Sequence, residues 1–177
     1  MNGAHERMVV TRPLSLDDAE PLAAILVENR DFFSPYFPAW QEWMFTVEGQ
    51  RRALDDLLAR QRAGTHEPRV ILDATGVVVG RINLNDIVRG AFQSCHLGYW
   101  LAESATGRGL ATRATAELVD HAFSGLGLHR VEAGTLVDNV ASQRVLERNG
   151  FVRFGLAPAY IKIAGRWQDH VLYQRVA

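Results

Sequence analysis

A chain of 177 residues with 47% hydrophobic and 22% charged side chains, 15 Gly and 6 Pro has the length of one packed domain and excludes a disordered, fibrous or coiled-coil protein. Nineteen Lys plus Arg against 20 Asp plus Glu leave a formal charge of -1, so no overall basic field exists to hold nucleic acid or an anionic membrane. The single cysteine, Cys95, forms no internal disulfide, no Cys/His spacing reads as a zinc site, and no metal is expected. The longest stretch without Asp, Glu, Lys or Arg, the thirteen residues Gly90 to Ala102, is too short to span a bilayer. With a polar Met1 to Met8 unlike a signal peptide, the chain reads as a soluble cytoplasmic domain covering 1–177, its core beginning near residue 8.

In chain order, Ser15 with Asp18 three residues on predicts a capping box, and Ala19, Leu22, Ile25 and Leu26 a first amphipathic helix ending near Asn29. Thr46 to Ala63 predicts a second helix, with Leu54, Leu57 and Leu58 on one side, charged residues on the other and Gly64 as the stop. The period then changes. Val70 to Leu72 and Val77 to Leu84 flank an Ala74-Thr75-Gly76 turn and predict a hairpin. Gln93 to Leu101 predicts a third strand, Cys95, Leu97, Tyr99 and Leu101 facing one way and His96, Gly98 and Trp100 the other. Gly98 within it suggests a bulge or a close approach by another molecule.

From Gly109 the apolar residues Leu110, Ala111, Ala114, Leu118, Val119, Ala122 and Phe123 predict a helix ended by Gly125 and Gly127. Arg130 to Val137 predicts a strand and Val140 to Asn149 a short helix closed by Gly150. Phe151 to Ile163 and Trp167 to Val176 predict a terminal hairpin around Ala164-Gly165.

Thr106-Gly107-Arg108-Gly109-Leu110-Ala111-Thr112 lies between a strand and a helix. The first amides of that helix have no intrahelical acceptor, and its positive end suits a phosphate or pyrophosphate, with Arg108 able to add a charge-assisted contact. A plain glycine turn is the alternative. A P-loop is excluded because no Lys-Ser/Thr follows the glycines, and a dinucleotide fingerprint because Thr112 occupies the third glycine position. A second strand-to-helix segment, Asp138 to Phe151, carries Asn139 and Ser142. Taken alone, Asn139 reads as an N-cap and Ser142 as a polar first-turn residue.

Together these segments resemble the GNAT acetyltransferases, and within them the RimJ/RimL-like group of ribosomal-protein N-terminal acetyltransferases. The likeness runs from about Met8 to Ala177. It rests on Leu97-Gly98-Tyr99-Trp100-Leu101, on Gly107 to Thr112, on Asn139 with Ser142 and Gly150-Phe151, and on Gly165-Arg166-Trp167-Gln168-Asp169-His170. The resemblance implies a mixed α/β (α+β) fold. Its sheet would be strongly twisted, mostly antiparallel and six- to seven-stranded, with two central parallel strands near 93–101 and 130–137 splayed apart and about four helices. Acetyl-CoA would fill the slot as co-substrate. Its pantetheine arm would lie along Tyr99, Trp100 and Leu101, its pyrophosphate on Gly107, Arg108, Gly109, Leu110, Ala111 and Thr112, and Asn139 and Ser142 would stand opposite. A homodimer is left open.

Two positions depart from the wider pattern. Thr106 replaces a commoner Gln, Arg or aromatic, and Leu146 stands where many members have the tyrosine that protonates the departing thiolate. The resemblance moves that role to Ser142. It also implies direct attack by the amine, so Cys95 is not needed as a nucleophile and reads as a core residue. The acetyl carbonyl would be polarised by a backbone amide near Gly98. At pH 7, deprotonating an α-amine of pKa about 7.8 costs about 1 kcal/mol, against about 4.6 kcal/mol for a lysine near 10.4, so a weak base serves an N-terminus. His96 is the candidate base, with Glu103 and Glu132 as weaker ones and a merely hydrogen-bonded histidine as the alternative. Phe32, Phe33, Tyr36, Phe37, Trp40, Trp43 and Phe45 fall within fourteen residues that include Pro35 and Pro38, which favours a shaped loop walling the acceptor pocket. Trp167 and Asp169 would form the opposite wall or hold the hairpin. The expected activity is acetyl transfer to a primary amine, a protein or peptide N-terminus; a small-amine acetyltransferase and a non-catalytic CoA-binding module are the rivals.

Overall fold

The computed structural model describes residues 9–38 and 41–177; Trp40 and the Met1 to Met8 stretch lie outside them. One seven-stranded sheet organises the chain: β1 (Thr11–Pro13), β2 (Glu67–Leu72), β3 (Val78–Val88), β4 (Ser94–Leu101), β5 (Arg130–Leu136), β6 (Val152–Ile163) and β7 (Arg166–Val176). Their spatial order is β1-β2-β3-β4-β5-β7-β6, and every neighbouring pair is antiparallel except β4 with β5. Among the described residues five α-helices accompany it: α1 (Ala19–Glu28), a single turn α2 (Arg30–Phe33), α3 (Val47–Arg62), α4 (Leu110–Asp120) and α5 (Val140–Arg148). β1 has no counterpart in the sequence reading, because three residues ending in proline are too few to show a period.

Strand alternation places the helices on two faces. Thr11 donates to Glu117 of α4 at 2.6 Å, whereas its neighbour Arg12 pairs with Asp18, at the start of α1, at 2.6 Å. On the α4 face, the predicted stripe is realised: Leu110, Ala114, Leu118, Val119 and Ala122 are buried in the same core as Ile82, Leu84, Cys95 and Leu97. Each large aliphatic side chain buried there contributes about 1.5–3 kcal/mol. The helix closes through one π-turn, His121–Gly125, at the glycine expected to end it. On the other face α1 packs on α3 and β3, its entry fixed where Asp18 accepts the Ser15 amide at 2.9 Å.

The parallel pairing is short. β4 and β5 share only Ser94–Arg130, Cys95–Val131 and His96–Glu132, and beyond His96 the two strands part. β5 stays paired with β7 through Leu136, so it is the β4 side that loses its partner from Leu97 to Leu101. The predicted bulge is not found on the β3 side of Gly98, which pairs regularly with Asn83; the irregularity lies on β3, between Asn85 and Val88, where Asp86 takes a left-handed φ of 51°. At the end of the chain, Ala164 and Gly165, both left-handed, make the two-residue turn joining β6 to β7.

Candidate acetyl-CoA site

The parted strands enclose a slot of about 800 Å³. One side is β4 from Leu97 to Leu101 and the other β5 from Ala133 to Leu136; the N-terminal turns of α4 and α5 close one end. On the side turned to β5, the backbone of β4 from Leu97 to Leu101 is an open sheet edge, the kind of edge to which an extended chain adds as a further strand.

The loop before α4 supplies the amide cradle. Gly107 and Gly109 have φ of 71° and 76°, conformations that disfavour any side chain, and an added Cβ would meet nothing within 4 Å at either. The first intrahelical bond of α4 runs from the Arg113 amide to the Gly109 carbonyl at 3.1 Å. The amides of Leu110, Ala111 and Thr112 therefore have no acceptor within the helix, and all three residues line the slot. Arg108 is exposed and lies outside the lining.

Across the slot, α5 begins at Asn139, whose side-chain oxygen accepts the Ser142 amide at 3.1 Å. The cap also fixes the serine. Its Oγ lies 2.8 Å from the Tyr99 hydroxyl of β4, a bond that joins the two sides of the slot. Burial pushes the Tyr99 phenol up to about 12 against the opposing effect of Ser142, so it remains a donor throughout the neutral range. Leu146, one turn along α5, is fully buried and supplies only apolar surface.

A sequence profile of the acetyltransferase (GNAT) domain matches residues 9–152. The chain belongs to the GNAT acetyltransferases. It is an acetyl-CoA-dependent acyltransferase, and its open sheet with one parallel pair is the fold of that family. It is 36% identical over 165 residues to "Probable N-acetyltransferase YjcK" of Bacillus subtilis, covering 93% of this chain and 91% of that one. It is 31% identical over 168 residues to the [ribosomal protein uS5]-alanine N-acetyltransferase of Escherichia coli, covering 94% and 86%. Among solved structures, Mycobacterium smegmatis RimJ in complex with CoA-disulfide superposes with a TM-score of 0.90 at 34% identity, covering 94% of this chain and 81% of the other.

Of the residues expected to serve this GNAT enzyme, the slot gathers Tyr99, Trp100, Leu101, Gly107, Gly109, Leu110, Ala111, Thr112, Asn139 and Ser142. His96 lies outside the lining. It pairs through Nε2 with Glu132 at 3.2 Å, Glu132 also holds Arg130 at 2.6 Å, and the remaining His96 nitrogen, Nδ1, is buried without a partner. Glu103 is exposed, its amide donating to the buried Asn29 side chain at 2.8 Å. Cys95 is fully buried, and that burial pushes its thiol up to about 12, which removes it as a nucleophile near neutral pH.

The aromatic set divides. Phe32, Phe33, Tyr36 and Phe37 line the slot, with the Phe33 and Phe37 rings 5.4 and 6.5 Å from Trp100. Trp43 lines a neighbouring groove, and Phe45 stacks under Arg30, whose guanidinium lies 4.3 Å from its ring centre. The loop is tied to the terminal hairpin where the Ala164 amide donates to the Phe37 carbonyl at 3.0 Å. Trp167 is exposed away from the slot, and Asp169 accepts the amide of Ala159 at 2.8 Å within the irregular part of β6, a hairpin-holding role.

One slot residue entered the sequence reading only as part of a motif. His170 of β7 is buried and lines the slot. It stands opposite Leu136, and its ring packs edge-on to Tyr160 at 5.6 Å. Its Nδ1 lies 3.1 Å from the Gln168 carbonyl, which can only accept, so Nδ1 is the donor and a neutral ring carries its lone pair on Nε2. Arg81 and Asn83 of β3 also reach the slot without having been singled out.

Proposed function

We propose that the protein transfers the acetyl group of acetyl-CoA to the α-amine of a protein or peptide N-terminus by direct attack. The observation that carries this reading is the placement of Ser142, held by its cap and by Tyr99 between the amide cradle and the aromatic walls. The relatives named for ribosomal-protein and uS5-alanine acetylation support the choice of acceptor.

The chain's residues divide the work. The amides of Leu110 to Thr112 receive the pyrophosphate, and the unpaired edge of β4 positions the pantetheine arm. An amide near Gly98 polarises the carbonyl. Ser142 donates a hydrogen bond to the sulfur as the thiolate leaves, and Tyr99 stands behind it, bringing from β4 the phenol that Leu146 does not supply from α5. A thiolate is a weak base, so a hydrogen bond suffices and full proton transfer is unnecessary. His170, which lines the slot, takes the proton of the attacking amine on Nε2; His96 lies outside the lining and faces Glu132.

The test is release of CoA thiol from acetyl-CoA, with peptides bearing a free N-terminus compared against the same peptides with a blocked N-terminus and a free lysine, and against small primary amines. The expected result is release only with the free N-terminus. Release with lysine or small amines alone would replace the acceptor, and no release with any amine would leave a CoA-binding module.

A further inference from the structure

A second depression opens from the slot. It has a volume of about 760 Å³ and lies between β3 and α3; Arg81, Asn83 and Asn85 line both spaces. These are alternate residues of β3 and share one face of the sheet, standing opposite Trp100, Gly98 and His96 of β4. From α3 the groove receives Arg52, Asp56 and Arg60, with His66 beyond. The one carboxylate among these lining residues, Asp56, is already paired with Arg60 at 2.9 Å. The groove thus carries an excess of positive charge.

Arg81 differs from the other half-buried arginines. Arg12, Arg69 and Arg130 each face a carboxylate within 3.4 Å and Arg175 donates to the Asn149 carbonyl at 2.8 Å, whereas among the described residues no carboxylate pairs with Arg81. Its guanidinium lies 6.0 Å from the centre of the Trp100 ring, and burial without a counter-charge pulls its pKa down to about 10. Keeping a half-buried cation unpaired carries a cost that a ligand's anion would offset. Two residues along, Asn83 is 8% exposed and its carboxamide oxygen is buried without a hydrogen-bond partner. One group lacks an anion and the other lacks an N–H donor.

We propose that this strip reads the acceptor, and that it selects amines carrying an anionic group close to the reacting nitrogen: for a peptide, a carboxylate side chain at the first or second residue. This rests on the transferase reading above. The scale is set by the strand. Asn83 stands opposite Gly98, where the acyl end of the slot is expected, and Arg81 lies two residues on, about 7 Å at about 3.4 Å per residue. An extended acceptor with its amine over Asn83 donates an N–H to the carboxamide oxygen and brings a side chain one or two residues away within reach of Arg81. The phosphates of CoA are the other source of anions, since Arg81 also lines the slot with Gly107 and Gly109 to Thr112. Those loop residues stay out of the groove, where Arg52 and Arg60 add to the positive charge, and the groove side of Arg81 is the one an acceptor reaches.

The experiment measures binding of three peptides, identical except for Asp, Asn or Lys at the second residue, to the CoA-loaded protein, with thiol release from acetyl-CoA followed in parallel. The Asp peptide is expected to bind at least about tenfold more tightly than the Asn peptide, with Lys weakest, as a charge-assisted pair requires. Added salt narrows the gap. The preference collapses in Arg81→Met and survives in part in Arg81→Lys, both variants keeping the affinity for CoA within about twofold. Equal affinities for the three peptides, a preference that survives Arg81→Met, or a loss of CoA affinity in that variant would each overturn the proposal. Binding to the CoA-loaded protein needs no transfer, so absent thiol release would count against the transferase reading alone.

Discussion

Gly109 offers the sharpest separation between a glycine that merely makes a turn and one that makes room for a ligand. Its φ is 76°, and a Cβ built on it meets no atom within 4 Å. Gly109→Ala therefore incurs only the left-handed backbone penalty, about 1–2 kcal/mol. For a chain of this size that lowers Tm by roughly 2–8 °C. Gly76, in the turn between β2 and β3, has φ of 83° and equally open space, so Gly76→Ala should cost the same in stability. The two variants part on ligand. A methyl at position 109 holds the pyrophosphate off at least one amide, and a hydrogen bond to a charged group is worth about 1.5–3 kcal/mol, so CoA affinity should fall roughly ten- to hundredfold. Gly76→Ala should bind CoA as the wild type does. Calorimetric titration with CoA, alongside thermal unfolding without ligand, reads both quantities. Pantetheine, which lacks the pyrophosphate, should not distinguish the Gly109 variant from wild type. Wild-type affinity in Gly109→Ala, or an equal loss in Gly76→Ala, would refute the cradle.

Ser142→Ala should lower kcat by tenfold or more while weakening acetyl-CoA binding far less, and equal losses in both would make the serine a binding residue. His170→Gln should lower kcat/KM by tenfold or more at pH 7, whereas His96→Gln should leave it within about twofold; the reverse pattern would return the base role to His96. Cys95→Ala should retain acetyl transfer, and wild-type Cys95 should resist alkylation until the protein unfolds. Burial opposes ionisation of Asp18, but hydrogen bonds from Arg12 and from the Ser15 amide prevail and hold its carboxyl below the ordinary carboxylate range. A depressed folded-state pKa means stability that is present above about pH 4 and lost as pH falls through the folded value. Asp18→Asn should therefore be less stable than wild type by about 1–3 kcal/mol at pH 7, measured by urea unfolding, with the gap closing in acid.

The parts of the fold that announced themselves in the sequence are those governed by local chemistry. The α4 stripe, the Asn139 cap and the Ala164-Gly165 turn each depend on residues a few positions apart, and each stands where periodicity and capping place it. The strand faces of β4 were legible for the same reason. What alternation cannot report is which strand lies alongside. His170 reaches the slot only because β7 inserts between β5 and β6, and Arg81 and Asn83 only because β3 runs against β4 through Gly98. His96 sits on the face expected of it, yet its register with Glu132 on β5 places Nε2 3.2 Å from that carboxylate. The irregularity on β3 beside Asp86 likewise has no glycine to mark it.

The central claim is that unpaired amides at the start of α4 and along the free edge of β4 hold the coenzyme between two parted strands. Backbone amide NMR during a titration with CoA addresses it directly. The account predicts that the largest shifts and the strongest protection from exchange fall on Gly107 to Thr112 and on Leu97 to Leu101. Shifts confined to the groove beneath α3, or an unperturbed spectrum at saturating CoA, would contradict it.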